Sequence, residues 1–156
     1  MIEKRVAIPV GEAVQKVMEV SKDGEFEQIP IQYCDGRFLG SDLIAEQPIP
    51  AFDRSGFDGY AIRSQDLRTA SLDHPIELEV LEGIGAGSVP TVPVHANQAV
   101  RLMTGAQMPV GADAVIMLEL TEEFLSDGKK KVRIKRPVKS GDNVIYRGQD
   151  LSLIHI

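Results

Sequence analysis

Tryptophan is absent, cysteine occurs once, and aromatic residues make up 5% of the 156 residues. The core must therefore rest on Val, Ile and Leu. One cysteine, Cys34, excludes an internal disulfide, which fits a cytoplasmic protein, and its apolar neighbours suit a small buried residue better than a nucleophile. No apolar run approaches the roughly 20 residues of a membrane helix, and the N-terminus lacks a signal-peptide core. Basic charge is also short: 17 Lys and Arg against 23 Asp and Glu give a net charge of −6. That balance argues against a general nucleic-acid surface and favours solubility. Zinc-spaced Cys/His groups, a P-loop and a nucleophile elbow are all missing. His74, His95 and His155 stand isolated and read as ordinary surface or tail residues.

What is present divides into three stretches. Val10, Ala13, Val14, Val17, Met18 and Ser21 recur at helical spacing, with Pro9 at the start and Gly24 as the stop. Ile29-Pro-Ile31 reads as extended, because proline cannot serve a central strand. Asp35 to Ile44 reads as a short helix capped by Asp35. From Ala51 to about Lys135 the pattern becomes β. Strands are predicted at Ile76–Val80 and Ala99–Met103, and a central buried one at Ala114–Leu118. Gly83, Gly85 and Gly87 break the first of these. Leu120–Phe124 and Lys131–Lys135 read as hairpin arms around an Asp127-Gly128 turn. Lys129, Lys130 and Lys131 at its tip read as a solvated charge run. Lys139-Ser-Gly-Asp-Asn143 is a turn, and Leu151–Ile156 an apolar tail without cap or stop. The fold class is α+β and mostly β. A β-rich domain, 51–135, is inserted in a smaller, elongated, helix-containing segment made of 1–50 and 136–156.

Four polar clusters could carry chemistry. Asp53, Ser55 and Asp58 lie in Ile49–Arg63, where Pro48, Pro50, Gly56 and Gly59 exclude regular helix. Carboxylates on such a loop suit magnesium, or simply shape turns. Gly83-Ile-Gly-Ala-Gly87 resembles a phosphate cradle but lacks the dinucleotide fingerprint and a following helix, so a loop between strands fits it better. Arg101-Leu-Met-Thr-Gly-Ala106 places the Thr104 hydroxyl beside a glycine at a strand end, where it could hold an anion or end a turn. Arg147-Gly-Gln-Asp150 could bind an anion and a metal, or pair internally.

Taken in order, these segments resemble the molybdopterin molybdenumtransferase family, the MoeA-type proteins of bacteria and the E domain of gephyrin. Pro50-Ala-Phe-Asp-Arg-Ser-Gly-Phe-Asp-Gly-Tyr-Ala-Ile-Arg63 is similar to the signature P-x-F-D-N-S-A-M-D-G-Y-A-V-R. Arg101–Ala106 and Pro109–Val115 are similar to R-I-M-T-G-A-x-x-P-x-G-A-D-A-V. Cys34–Leu39, Gly85–Gly87 and Arg147–Asp150 match shorter pieces. Arg54 stands where the signature has Asn, Gly56-Phe57 where it has Ala-Met, and Gln149 where the family has Glu.

The resemblance implies insertion of molybdate into adenylylated molybdopterin, with magnesium-dependent release of AMP. It implies Asp58, Thr104 and Asp150 as catalytic positions, with Asp58 and Asp150 toward the metal. Asp53, Ser55 and Arg147 follow as substrate-binding positions. It further implies a homodimer and contact with a MogA-like molybdopterin adenylyltransferase. Family members are longer and continue into an α/β domain that carries most of the pterin and molybdate pocket. The chain therefore reads as the N-terminal portion of such an enzyme, inactive in isolation. Two other readings compete: a non-catalytic dimerisation or binding module of the same fold, and a magnesium-dependent phosphohydrolase built on Asp53 and Asp58.

Overall fold

The computed structural model describes residues 7–22 and 24–151, so all but the first residue of the Leu151–Ile156 tail lies outside the described residues. The chain divides into two compact units, 1–42 and 43–156.

The described residues of the first unit carry one α-helix, α1 (Val10–Val20). The Pro9 carbonyl accepts from the Ala13 N–H at 3.0 Å, and Glu12 pairs with Lys16 one turn on at 2.9 Å. The helix stops before Gly24, at Ser21, whose N–H and hydroxyl both donate to the Val17 carbonyl at 3.0 and 2.8 Å. Pro30 leads into a single 3-10 turn, Ile31–Tyr33, so Ile31 is not extended. The predicted helix over 35–44 does not form. Gly36 sits at φ +74°, a left-handed conformation that ends helical winding, and Arg37 N–H closes a turn on the Cys34 carbonyl. Cys34 is exposed rather than buried. None of the described residues 7–42 is buried.

The described residues of the second unit hold eight strands: β1 (Arg54–Ser55), β2 (Gly59–Ile62), β3 (Ile76–Ile84), β4 (Gln98–Leu102), β5 (Ala114–Met117), β6 (Thr121–Ser126), β7 (Lys129–Ile134) and β8 (Val144–Ile145). Six form one mixed sheet in the order β5-β2-β4-β3-β7-β6, in which only β3 and β4 run parallel. β1 and β8 form a separate antiparallel pair. The six-stranded sheet is covered on both faces. Tyr60, Ile62, Leu78, Ile116 and Val132 fill one cluster, while Ala61, Val100, Leu102 and Val115 fill the other.

Three strand assignments change. The second half of the Ile49–Arg63 stretch is not loop but β2, all four residues of it buried. A strand covered on both faces shows no alternation, so periodicity misses it. β3 continues through Gly83, absorbing the glycine in a register shift between Val80 and Gly83. β5 is buried but lies at the sheet edge, not the centre. Its open side is closed by the 139–143 turn. Val115 N–H donates to the Asp142 carbonyl at 2.9 Å, and the Asn143 side-chain amide donates to the Val115 carbonyl at 2.8 Å. The hairpin forms as predicted, with Asp127 and Gly128 both at positive φ. Lys129 at its tip pairs across the sheet with Glu79 at 2.9 Å.

Candidate functional site

β2 and β4 are direct antiparallel neighbours, with Gly59 opposite Leu102 and Tyr60 opposite Arg101. This register brings the residue before β2, Asp58, to the residues just after β4. Thr104 closes the gap. Its N–H and its hydroxyl both donate to Asp58 Oδ1, at 2.6 and 2.7 Å. The turn that carries Thr104 is locked from beneath. Gly105 adopts φ +82°, its N–H donates to the Ser55 carbonyl at 2.9 Å, and Ser55 N–H donates to the Ala106 carbonyl at 2.9 Å. Asp58 is held from the other side by Leu118 N–H, which donates to its carbonyl at 3.0 Å. Two residues 46 positions apart thus form one preorganised, exposed pair.

The electrostatics follow from those contacts. The Thr104 hydroxyl, then its N–H, hold the Asp58 carboxyl below the usual aspartate value near 3.8, and the charge of Arg101 adds to this. Arg101 is itself placed by Glu123, at 3.2 Å, and Glu123 accepts from the Tyr60 hydroxyl at 2.5 Å. Burial, then Glu123, push that phenol up to about 12. Glu123 has no sequence signal, because the hairpin that delivers it pairs through β7 rather than with β4.

The other predicted site residues go to different places. Ser55 is buried, and its hydroxyl bonds the Phe57 carbonyl, so it braces the loop. Asp53 faces the C-terminal segment, where its Oδ1 accepts from the Arg147 N–H at 2.7 Å. Asp150 lies 3.5 Å from the Arg54 guanidinium. Asp58 and Asp150 therefore have different partners. Among the described residues no three His, Cys, Asp or Glu side chains gather as a metal site. Magnesium commonly takes one or two carboxylates and completes its shell with phosphate oxygens and water. Asp58 fits that mode as a single ligand, since Thr104 engages only its Oδ1.

Comparison with known proteins gives the family of the chain. The family model described as "MoeA N-terminal region (domain I and II)" matches residues 8–154. A molybdopterin molybdenumtransferase of Bacillus subtilis is 47% identical over 150 residues, and one of Staphylococcus epidermidis is 39% identical over the same length. Both matches cover 96% of this chain but 35% of the relative, so the chain spans about a third of the length of these relatives. A crystal structure of a molybdopterin biosynthesis moeA protein from Pyrococcus horikoshii OT3 superposes with TM-score 0.74 at 35% identity, covering 94% of this chain and 38% of that one. This chain belongs to the MoeA N-terminal region family, and corresponds to the N-terminal portion of the molybdopterin molybdenumtransferases.

Proposed function

We propose that this chain contributes one part of an active site that inserts molybdate into adenylylated molybdopterin and releases AMP. The observation that carries the reading is the Asp58–Thr104 pair. It is exposed and fixed by two hydrogen bonds that hold the Asp58 carboxyl below the usual aspartate value, at the positions the family signatures point to. Asp58 Oδ2 offers one hard oxygen for magnesium, and Thr104 sets the direction in which it points. When bound there, magnesium supplies charge neutralisation to the phosphoanhydride. The chain's own work is to hold and orient, which suits a reaction driven by positioning and electrostatics. With a net charge of −6, the anionic substrate also needs basic groups from outside this segment.

Homodimerisation belongs to the same proposal. In the first unit Val10, Val14, Val17 and Met18 form an exposed stripe at i, i+4, i+7 and i+8, and no described residue of that unit is buried. A second copy would cover that stripe.

A chimera tests the reading. This chain replaces the matching 150-residue segment of the Bacillus subtilis relative and is expressed in a host without its own molybdenumtransferase. Restored molybdenum loading of the pterin is expected. A folded chimera that loads none would instead favour the non-catalytic module.

A further inference from the structure

A cleft of about 260 Å³ opens where β3 shifts register against β4, lined by Leu81, Glu82, Gly83, Arg101, Glu123 and Lys130. Val80 pairs with Ala99 and Gly83 with Arg101, so β3 carries one extra residue there. Such a bulge bends its strand and re-aims the side chains beside it. A Cβ at Gly83 would meet nothing within 4 Å, so the chain's own packing leaves that position open. The volume is small for a whole cofactor and suits a single group. Arg101 belongs to two neighbourhoods: it lines the cleft, and its charge acts on Asp58. Glu123 Oε2 holds its Nη1 at 3.2 Å. The buried Tyr60 anchors Glu123 in turn, its hydroxyl donating to the same oxygen at 2.5 Å.

The hydrogen-bonding capacity left in the cleft lies on the donor side. Glu82 is engaged by the loop beyond β3: it accepts from the Thr91 N–H at 2.9 Å, the Thr91 hydroxyl at 2.7 Å and the Val92 N–H at 3.2 Å. Glu123 is engaged by Tyr60 and Arg101. The two cations are less committed. Lys130 acts on Glu123 through its charge but makes no hydrogen bond to a described residue. An arginine carries five N–H donors, and Arg101 engages Glu123 through Nη1 alone. Two acids against two bases leave little net field, so the free donors decide what fits, and they match clustered acceptor oxygens. We propose that Arg101 and Lys130 form a subsite for a tetrahedral oxyanion beside Asp58, with Glu123 and Tyr60 positioning Arg101. Resting on the molybdenum-insertion reading, the oxyanion is either a phosphoryl group of the adenylylated substrate or molybdate, which share this chemistry.

The test is an amide NMR titration of this chain at fixed ionic strength and without magnesium, comparing AMP, adenosine and molybdate. Localised shifts at Gly83, Arg101 and Lys130 are expected with AMP or with molybdate and not with adenosine. The oxyanion that binds more tightly identifies the source. Arg101→Gln and Lys130→Gln should each weaken that binding by about 10-fold, the worth of a hydrogen bond to a charged group. Glu123 separates positioning from charge. Removing a negative charge would by itself tighten oxyanion binding, whereas loss of the anchor weakens it. Glu123→Ala should therefore weaken binding, and Glu123→Gln, which keeps an acceptor for Tyr60, should restore it. Shifts only outside the cleft, no response to AMP or molybdate, or binding unchanged by Arg101→Gln overturns the subsite. Tighter binding by Glu123→Ala overturns the positioning role. The readout needs neither turnover nor Asp58, so its failure leaves the molybdenum-insertion reading standing. A chimera that binds the oxyanion but loads no molybdenum fails on that reading alone.

Discussion

Asp53, Ser55 and Asp58 share one short stretch of sequence yet have three separate fates. Ser55, the second residue of β1, turns inward, Asp53 faces Arg147, and Asp58 faces Thr104. Spacing revealed that carboxylates were close in sequence. It could not reveal that β1 would intervene between them, because a two-residue strand leaves no periodic trace. The partnership of Asp58 with Thr104 was legible only through the resemblance, since register across a sheet is set by residues far from either. A titration follows at this scale. The Thr104 contacts lower the Asp58 pKa in the folded state, so the stabilisation they provide is complete above the ordinary value near 3.8 and is lost as pH falls through the lower folded value. Thr104→Val removes the hydroxyl and keeps the N–H. The Asp58 carboxyl resonance should then titrate at higher pH than in the unaltered chain, though still below a free aspartate. An unchanged midpoint would contradict the assignment of the hydroxyl as the main cause.

Among the elements, the hairpin was readable because Asp127-Gly128 demands positive φ, a local property. The position of β5 was not. Its apolar run reports side chains buried in the core clusters on both faces, not a place in the sheet, and its open edge is covered by the 139–143 turn rather than by a further strand. The 35–44 segment failed as a helix for the opposite reason: a favourable cap was outweighed by a glycine in the left-handed region. β2 is tightly constrained by its neighbour. A Cβ at Gly59 would lie 2.1 Å from the Ile116 oxygen on the neighbouring strand, a backbone atom that cannot move aside cheaply. Gly59→Ala should therefore destabilise the chain by about 1–3 kcal/mol or more, the range for overpacking. Denaturant unfolding checks this, and Gly83→Ala serves as the control because a Cβ there meets nothing within 4 Å.

At the scale of the whole molecule, the two units differ in what supports them. The second buries a two-sided core, whereas the described part of the first buries nothing. Composition hinted at an amphipathic helix but could not say what covers it. If a second copy does, sedimentation should show a dimer that dissociates on dilution, and Val14→Asp with Val17→Asp should shift it to monomer without changing the unfolding of the second unit. None of the described helices is long and apolar enough to cross a membrane. The central claim remains the Asp58–Thr104 pair, and magnesium-dependent AMP release by the purified chimera tests it most directly. With adenylylated molybdopterin and molybdate supplied, Asp58→Ala should lower the rate by about 10²-fold or more, the typical loss of one preorganised electrostatic group, with the fold retained. Release at the unaltered rate by a folded Asp58→Ala protein would contradict the account.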